Sequence, residues 1–538
     1  MGKFTTDIST SENLHKDNAI MKNFMVASKL AFGVAALLAI ATNHAVAASA
    51  GNAVALVSPE SQGVSSKAIL KWIGRLEGEV DAIHAFVLMR HGKVIAEGDW
   101  SPYESLEVPH VLFSHSKSYT STAIGLLWDE KKIDLDERVC DILKDKLPPV
   151  PPNENLRNLT VRHLLTMRTG TRRPHFIWGR PEVKDWAKAF LAEKGYPDRP
   201  GGAFGYDSDA TYLLAEIVER KSGEKMMNYL RRKLFDPLGI ESVSTTYSPT
   251  GVPCGGWGMK ASARDNAKFG QLYLNEGLWN GRRILSREWV RMATSNQIET
   301  AGVQLGSESE GYGFQFWCGH HGTYRADGML GQVTIVSPKG DFVLSLLSGT
   351  MGEFIYTFWQ ELLPAMSADA LPEDPDALAA LRARCETLKM RLPEGEKTSP
   401  NENEVLGAWK FNVKHLGIDS VRVEKTDTGW TLAYTDHLGR HEFPVGYGRW
   451  EQGKLRLSAQ DEIDCIDPTP GEHPIAAAGA WKNGQLAIRT LFTTGPFRFN
   501  FLFRPEKDGV VDLLMYRIVP KEEQRNVKMR RLPQTHTN

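Results

Sequence analysis

Cysteine is scarce in this 538-residue chain: Cys140, Cys254, Cys318, Cys385 and Cys465 lie far apart and form no Cys-x-x-Cys pair. That spacing indicates neither a zinc knuckle nor a dense disulfide scaffold, and an odd count leaves at least one thiol unpaired within a monomer. Net charge is equally short, with 64 Lys+Arg against 65 Asp+Glu and a formal charge of -1. No overall basic field exists to attract phosphate backbones or anionic lipid, so no nucleic-acid partner is expected. The chain has no P-loop, no dinucleotide fingerprint, no HExxH and no G-x-S-x-G elbow, which removes the common nucleotide, zinc-protease and α/β-hydrolase routes. No internal repeat of fixed period is visible. No apolar run reaches the roughly 20 residues needed to span a bilayer, so no stable membrane span is expected.

What is present is the composition of a folded protein. Hydrophobic residues make up 41%, aromatics 9% with 14 Trp, and charged residues 24%, which excludes disorder for most of the chain. At about 150 residues per unit the length predicts three or four domain-sized parts. Ahead of them stands an address. Met21-Lys-Asn-Phe-Met-Val-Ala-Ser-Lys precedes an apolar run from Leu30 to Ala41, then Thr42-Asn43-His44 and the small-residue stretch Ala45-Val46-Ala47-Ala48. This is the three-part layout of a secretory signal peptide. Asp7, Glu12 and Asp17 disagree with a basic leader, so synthesis is expected to begin at Met21, with cleavage after Ala47 and export to a bacterial periplasm or beyond. The alternative is an uncleaved anchor.

Beyond the leader the pattern predicts an α+β domain over 48–366. It opens on a hairpin, His84–Arg90 and Lys93–Glu97 about the turn pair His91-Gly92. Helical stretches dominate from about Ser116 to Ala293, among them Pro181–Lys194, with Pro first and Gly195 after it, and Ser208–Lys221, stopped by Gly223. Strands return at Gly331–Ser337 and Phe342–Leu347, and Phe354–Leu363 reads as helix. The sheet is therefore expected to be assembled from both ends of the domain. Residues 367–404 read as a linker with an amphipathic helix over Pro375–Arg391. Residues 405–538 carry eight or so short strands between Gly, Asn and Asp turns, a small antiparallel barrel or sandwich, with the alternating Phe497, Phe499, Phe501 and Phe503 as a core face.

Chemistry is concentrated at Phe113-Ser114-His115-Ser116-Lys117-Ser118-Tyr119. Ser-x-x-Lys at the start of a helix puts Ser114 and Lys117 on one face, within reach of each other. A serine hydroxyl needs a base, and lysine serves only when burial or a neighbouring cation lowers its pKa. A place near a helix N-terminus also disfavours the ammonium. Ser222-Gly-Glu-Lys225 has the same spacing but straddles a helix end and reads as structural. His320-His321 and His110/His115 read as exposed or loop histidines, and no metal or other cofactor is expected. Cys254 reads as a small buried residue, and Trp178, Trp257, Trp317 and Trp359 as core or cleft wall.

Phe113-Ser-His-Ser-Lys-Ser118, Gly125 through Glu137, Leu159 through Thr166, Phe235-Asp-Pro-Leu-Gly-Ile240 and Gly255 through Asp265 resemble, in order and spacing, the serine β-lactamase and penicillin-binding-protein superfamily, nearest to its class C and esterase branch. The resemblance covers roughly 84–365 and implies a β-lactamase/transpeptidase-like antiparallel sheet with helices. It implies Ser114 as nucleophile, Lys117 as base and Tyr206, in Gly205-Tyr-Asp-Ser208, as proton relay. Ser208 stands where that family has an Asn; it can orient Lys117 but offers no amide N–H to a substrate. A second alignment takes Ser208-Asp209-Ala210 as a degenerate Ser-Asp-Asn. Ala326-Asp327-Gly328 corresponds to the third, Lys-Thr-Gly-like motif, so Asp327 and Gly328 are assigned to substrate binding and the N–H groups of Ser114 and Met329 to the oxyanion hole. The cation of that motif is missing, although Arg325 is adjacent. The expected activity is an acyl-enzyme serine hydrolase on small acyl esters. Second come amides: β-lactams, D-amino-acid peptides or oligoamides. A catalytically inert binding protein, with the C-terminal β region as its operative part, is the reading from another class.

Overall fold

A computed structural model describes residues 54–531 apart from 80–81, 150–151, 172–176, 178–179, 181, 193–197, 301–308, 351–353, 416–417, 437, 458–470, 507–509 and 519–524. The leader reading over 21–47, Trp178 and Cys465 lie outside the described residues. Among the described residues no helix is long and apolar enough to cross a membrane.

Two sheets organise the chain. The first has seven strands: β1 (Ile83–Arg90), β2 (Lys93–Asp99), β3 (Ser309–Tyr312), β4 (Trp317–Gly319), β5 (Tyr324–Gly328), β6 (Gln332–Ser337) and β7 (Phe342–Ser348). Their order is β2-β1-β7-β6-β5-β4-β3, antiparallel throughout, so the opening hairpin joins the late strands through β1 and β7, with Leu88 opposite Leu344. The expectation of a sheet built from both ends of the domain holds. β1, β6 and β7 are buried along their whole length, because both faces are covered. On one face Val333, Ile335, Leu344 and Leu346 join Trp72, Phe86 and Phe358 in one apolar cluster. Trp72 comes from helix α1 (Ser66–Glu79), its ring edge-on to Phe86 at 5.4 Å. The neighbouring residues Thr334 and Val343 face the other way, and a Cβ on Gly270 would lie 2.7 Å from a methyl carbon of each. That close approach seats the helix carrying Gly270, Ala263–Leu274, directly on the sheet.

Helix α2 (Ser116–Asp129) is wedged through the middle and buried from Ser116 to Leu127. It is rich in Ser and Thr, not amphipathic, because every side has protein against it and short hydroxyls can bond locally. Ser118 and Ser121 donate to the carbonyls of Gln315 and Phe314, both at 2.7 Å. Thr122 Oγ1 lies 2.7 Å from the Tyr273 hydroxyl. Helix α3 (Ser208–Ser222) follows the predicted stretch, capped by Asp207, whose side chain accepts from the Asp209 N–H, and stopped by Gly223 in the left-handed conformation. The predicted 181–194 helix is described only over Trp186–Ala192.

The second sheet has ten strands, β8 (Gly407–His415), β9 (Ile418–Lys425), β10 (Gly429–Asp436), β11 (Gly439–Gly446), β12 (Glu451–Leu457), β13 (Gly471–Lys482), β14 (Gln485–Phe492), β15 (Arg498–Pro505), β16 (Val510–Ile518) and β17 (Arg525–Arg531). The order is β11-β10-β9-β8-β17-β16-β15-β14-β13-β12, and the sheet curls into a half-barrel until Gly446 of β11 meets Ala478 of β13 in a parallel bridge. Phe497, Phe499, Phe501 and Phe503 all point into its core with Trp409, Trp430 and Trp481. That core does not end with the sheet: Val111, Phe113 and Leu330, from the N-terminal side of the chain, belong to the same cluster.

Gly125 supplies a test of how tightly α2 is held. A Cβ there would come within 2.4 Å of the Trp289 ring. Overpacking of this kind costs about 1–3 kcal/mol, more than the roughly 1 kcal/mol that alanine gains over glycine in a helix. Gly125→Ala is therefore expected to lower the thermal midpoint by several degrees, read by differential scanning fluorimetry; an unchanged or raised midpoint contradicts this account.

Candidate active site

The site begins at a turn. Phe113 has φ +48°, in the left-handed region that a bulky side chain avoids, and this bend ends the strand pair His110–Val111 and starts the helical turn Phe113–His115. Ser116 Oγ donates to the Phe113 carbonyl at 2.6 Å and accepts from the Met259 N–H at 3.1 Å, fixing the bend. Ser114 stands at its apex, and one turn on Lys117 is 1% exposed.

Lys117 Nζ has three neighbours: the Gly256 carbonyl oxygen at 2.7 Å, Ser208 Oγ at 3.0 Å and Ser114 Oγ at 3.1 Å. Burial lowers its pKa to about 7, against the opposing pull of Asp207 and Asp209. A neutral amine has two N–H groups and one lone pair. The Gly256 carbonyl can only accept, so it takes one N–H; Ser208 takes the other, and the lone pair faces the Ser114 hydroxyl.

Burial, the largest effect, with Asp327 adding, holds the pKa of the Tyr206 hydroxyl above the usual phenol value, although Ser114 favours its ionised form. Tyr206 therefore keeps its proton and can donate it. Lys117 Nζ lies 4.8 Å from the Tyr206 ring centroid. Behind Tyr206, Trp317 stacks at 5.6 Å and Tyr312 meets it edge-on at 6.3 Å, with Phe204 5.2 Å from Tyr312. This aromatic wall is where the expectation for Trp317 as core or cleft wall falls.

Strand β5 closes the other side. A Cβ on Gly328 would lie 2.0 Å from the Leu112 carbonyl oxygen and 3.1 Å from the His115 nitrogen, so only glycine lets the strand end lie against the Ser114 turn. Gln332 Nε2 ties down the next turn, its two N–H groups shared among the carbonyls of Met329 at 3.2 Å, Leu330 at 2.9 Å and Ser348 at 2.7 Å. Arg325, the neighbouring cation, is 1% exposed and its Nε donates to Asp327 Oδ2 at 2.7 Å. It is spent on Asp327 and faces away from solvent.

The structure thus brings Ser114, Lys117, Tyr206 and Ser208 together about the Lys117 amine, and sets Gly328 against the Ser114 turn. Three participants escaped sequence reasoning: the Gly256 carbonyl, Gln332 and Asp207. Asp207 is 1% exposed, and burial, with Asp209 beside it, raises its pKa to about 7; its Oδ2 has no hydrogen-bond partner among the described residues. An acidic residue just before a helix was the available signal, and it marks a cap as readily as a site. His110 and His115, expected as exposed or loop histidines, are instead fully buried. They sit beneath the site, where desolvation keeps His115 neutral with a pKa of about 3 and Thr334 Oγ1 lies 2.9 Å from its Nε2. Burial pushes the Cys254 thiol well up, so it stays protonated. Among the described residues no group of three His, Cys, Asp or Glu is placed to hold a metal ion.

The chain has relatives among known proteins. The family model described as Beta-lactamase matches residues 83–358, just over half of the chain. The 6-aminohexanoate-dimer hydrolase of Paenarthrobacter ureafaciens is 28% identical over 287 residues, covering 49% of this chain and 72% of that protein. Penicillin-binding protein 4 of Amycolatopsis lactamdurans is 26% identical over 299 residues, covering 48% of this chain and 77% of that one. Among solved structures, the octameric penicillin-binding protein homologue from Pyrococcus abyssi is 18% identical with a TM-score of 0.44, covering 86% of this chain and 99% of its own.

The lowered Lys117 pKa has two measurable consequences. If the neutral amine draws the Ser114 proton, the rate at which a fluorophosphonate labels Ser114 rises about tenfold per pH unit below pH 7 and levels above it. A flat profile through pH 7 overturns the assignment. The unfolded chain holds the Lys117 proton up to about pH 10.5 and the fold only to about 7, so this group costs stability increasingly as pH falls from 10.5 to 7, of the order of 5 kcal/mol at the lower end. Lys117→Met is expected to lose labelling while its thermal midpoint at pH 7 stays equal to or above that of the parent.

Proposed function

The chain belongs to the Beta-lactamase family of serine hydrolases, and on that premise we propose that it cleaves small, uncharged acyl esters through an acyl-enzyme on Ser114. The observation that carries the proposal is the buried Lys117 amine, 3.1 Å from Ser114 Oγ with its pKa brought near neutrality. In the proposed cycle Lys117 takes the Ser114 proton as Oγ attacks the acyl carbon. The N–H groups of Ser114 and Met329 receive the negative oxygen, where fixed donors stabilise charge that develops only in the transition state. Tyr206 gives its phenol proton to the departing alkoxide and recovers one from the Lys117 ammonium. Water then attacks the acyl carbon, its proton passes to the same pair, and Ser114 Oγ leaves with a proton. Ser208 keeps Lys117 aimed throughout.

The preference for uncharged substrates rests on β5. Arg325 is buried and paired with Asp327, so the strand that lies beside Ser114 offers a carboxylate, not a free cation, to an incoming substrate. A substrate carboxylate would meet repulsion there. A second reading, hydrolysis of linear amides, is favoured by the 6-aminohexanoate-dimer hydrolase relative and by the Tyr206 phenol, which keeps its proton and so is present in the form that an amine leaving group needs. Export belongs to the proposal as well, on the layout of residues 21–47; a mature N-terminus at Ala48 in protein secreted from a bacterial host checks it, and an intact leader refutes it.

Intact-mass spectrometry of the protein and of Ser114→Ala, each incubated in parallel with a fluorophosphonate, p-nitrophenyl butyrate, a butyryl p-nitroanilide and benzylpenicillin, tests the substrate class. Expected are phosphonylation that the substitution abolishes, ester turnover at least tenfold above anilide turnover, and no stable penicillin adduct. Anilide turnover exceeding the ester moves the assignment to the amide reading, and absence of both label and turnover removes the hydrolase mechanism.

A further inference from the structure

Two backbone strains flank the proposed oxyanion hole, one on each side. Phe113, just before Ser114, has φ +48°, and Leu330, just after Met329, has φ +59°. Glycine would adopt either conformation without penalty, yet both positions carry a large apolar side chain. Such strain persists only where the surroundings over-determine it. On the polar side the anchors are Ser116 on the Phe113 carbonyl, and Gln332 on those of Met329 and Leu330. Ser348 Oγ adds a further bond to the Leu330 carbonyl at 2.8 Å.

On the apolar side, both side chains enter the core of the ten-stranded sheet. Phe113 and Leu330 are 1% and 3% exposed within the cluster that contains Phe492, Phe497, Phe499 and Phe501, and Met329 packs on its edge. The Phe497 ring meets Phe113 edge-on, centroids 5.9 Å apart at 84°. The turn that carries Phe497 also reaches the strand pair leading to Ser114: the Thr494 carbonyl accepts from the Val111 N–H at 3.0 Å. A Cβ on Gly495 would lie 3.4 Å from a Val111 methyl carbon.

We infer that the C-terminal half-barrel is a working part of the catalytic centre, with Phe497 a positioning residue that holds the Phe113–Ser114 and Met329–Leu330 turns so that both N–H groups stay available to the oxyanion. Phe497 touches no reacting atom. It acts through Phe113, which it touches, and Leu330, which shares its apolar cluster; their side chains are handles by which the half-barrel grips the two turns at once. The inference rests on the acyl-enzyme reading above.

The test uses the full-length chain and p-nitrophenyl butyrate. Phe497→Ala is expected to lower kcat by on the order of tenfold or more, since a displaced oxyanion donor is lost to the transition state and not to the ground state, with KM within about twofold. The pH midpoint stays where it was, because Lys117 is anchored elsewhere. Phe497→Leu, which keeps apolar bulk without the ring edge, falls between and carries the test alone should the alanine variant not fold. Phe503→Ala is the structural control: it empties the same core six residues, roughly 20 Å, further along the strand. It should lower the thermal midpoint at least as much while kcat stays within about twofold. Equal kcat in all variants measured below their midpoints, or loss confined to KM, overturns the inference while leaving the hydrolase reading standing. A parent protein that neither turns over ester nor accepts a fluorophosphonate at Ser114 defeats that reading first, and the inference with it.

Discussion

The contact on which everything else depends is a buried amine against a hydroxyl, Lys117 on Ser114. In water the pair is inert, because the lysine is an ammonium and the serine keeps its proton. Removing water changes the order of preference: the charged amine loses its solvation, two neighbours accept its N–H groups, and a lone pair is left toward Ser114. The cost is large on the scale of a protein's net stability, so the surroundings must exclude water and must not relax. The density of buried hydroxyl-to-backbone bonds along Ser116–Asp129 answers that need, and so does the close seating of Trp289 on Gly125.

Aspartates 207 and 209 sit in the same dry region and pull the other way, favouring the ammonium. Burial outweighs them, and it raises Asp207 as it lowers Lys117. The two groups therefore hold protons on terms set by the same low dielectric. The neutral amine survives because the Asp207 side chain is turned to cap its own helix, accepting from Asp209, and makes no ion pair with Lys117.

The two sheets divide the work of shaping the site. The seven-stranded sheet brings β5 against the Ser114 turn at a distance only Gly328 permits. The half-barrel supplies apolar side chains to Phe113 and Leu330, so what a sequence reading treats as a separate appendage shares a core with the turn beside Ser114. That sharing explains why Phe and Leu occupy positions whose backbone would suit glycine.

Much of this could be read along the chain. Ser-x-x-Lys at a helix start, Tyr206 ahead of a capped helix and the hairpin that joins late strands are local patterns, and local patterns survive in one dimension because helix and strand periods place i and i+3, or i and i+2, without help from elsewhere. The half-barrel was legible in kind but not in count. β11 carries Pro444 within Gly439–Gly446, β12 and β17 are heavily charged, and the alanines of β13 favour no strand by themselves; these segments become strands because neighbours already in the sheet offer them hydrogen bonds. The residues themselves determined a serine and a lysine on one helical face, a tyrosine and a short hydroxyl in register with them, and a strand without a cation. Only the tertiary structure decided that the lysine is dry, that the Gly256 carbonyl fixes its lone pair, that Arg325 is consumed by Asp327, and that Phe497 reaches Phe113 from nearly four hundred residues away. Each of these turns on solvent exclusion and on contacts between segments distant in sequence, which no period or spacing encodes.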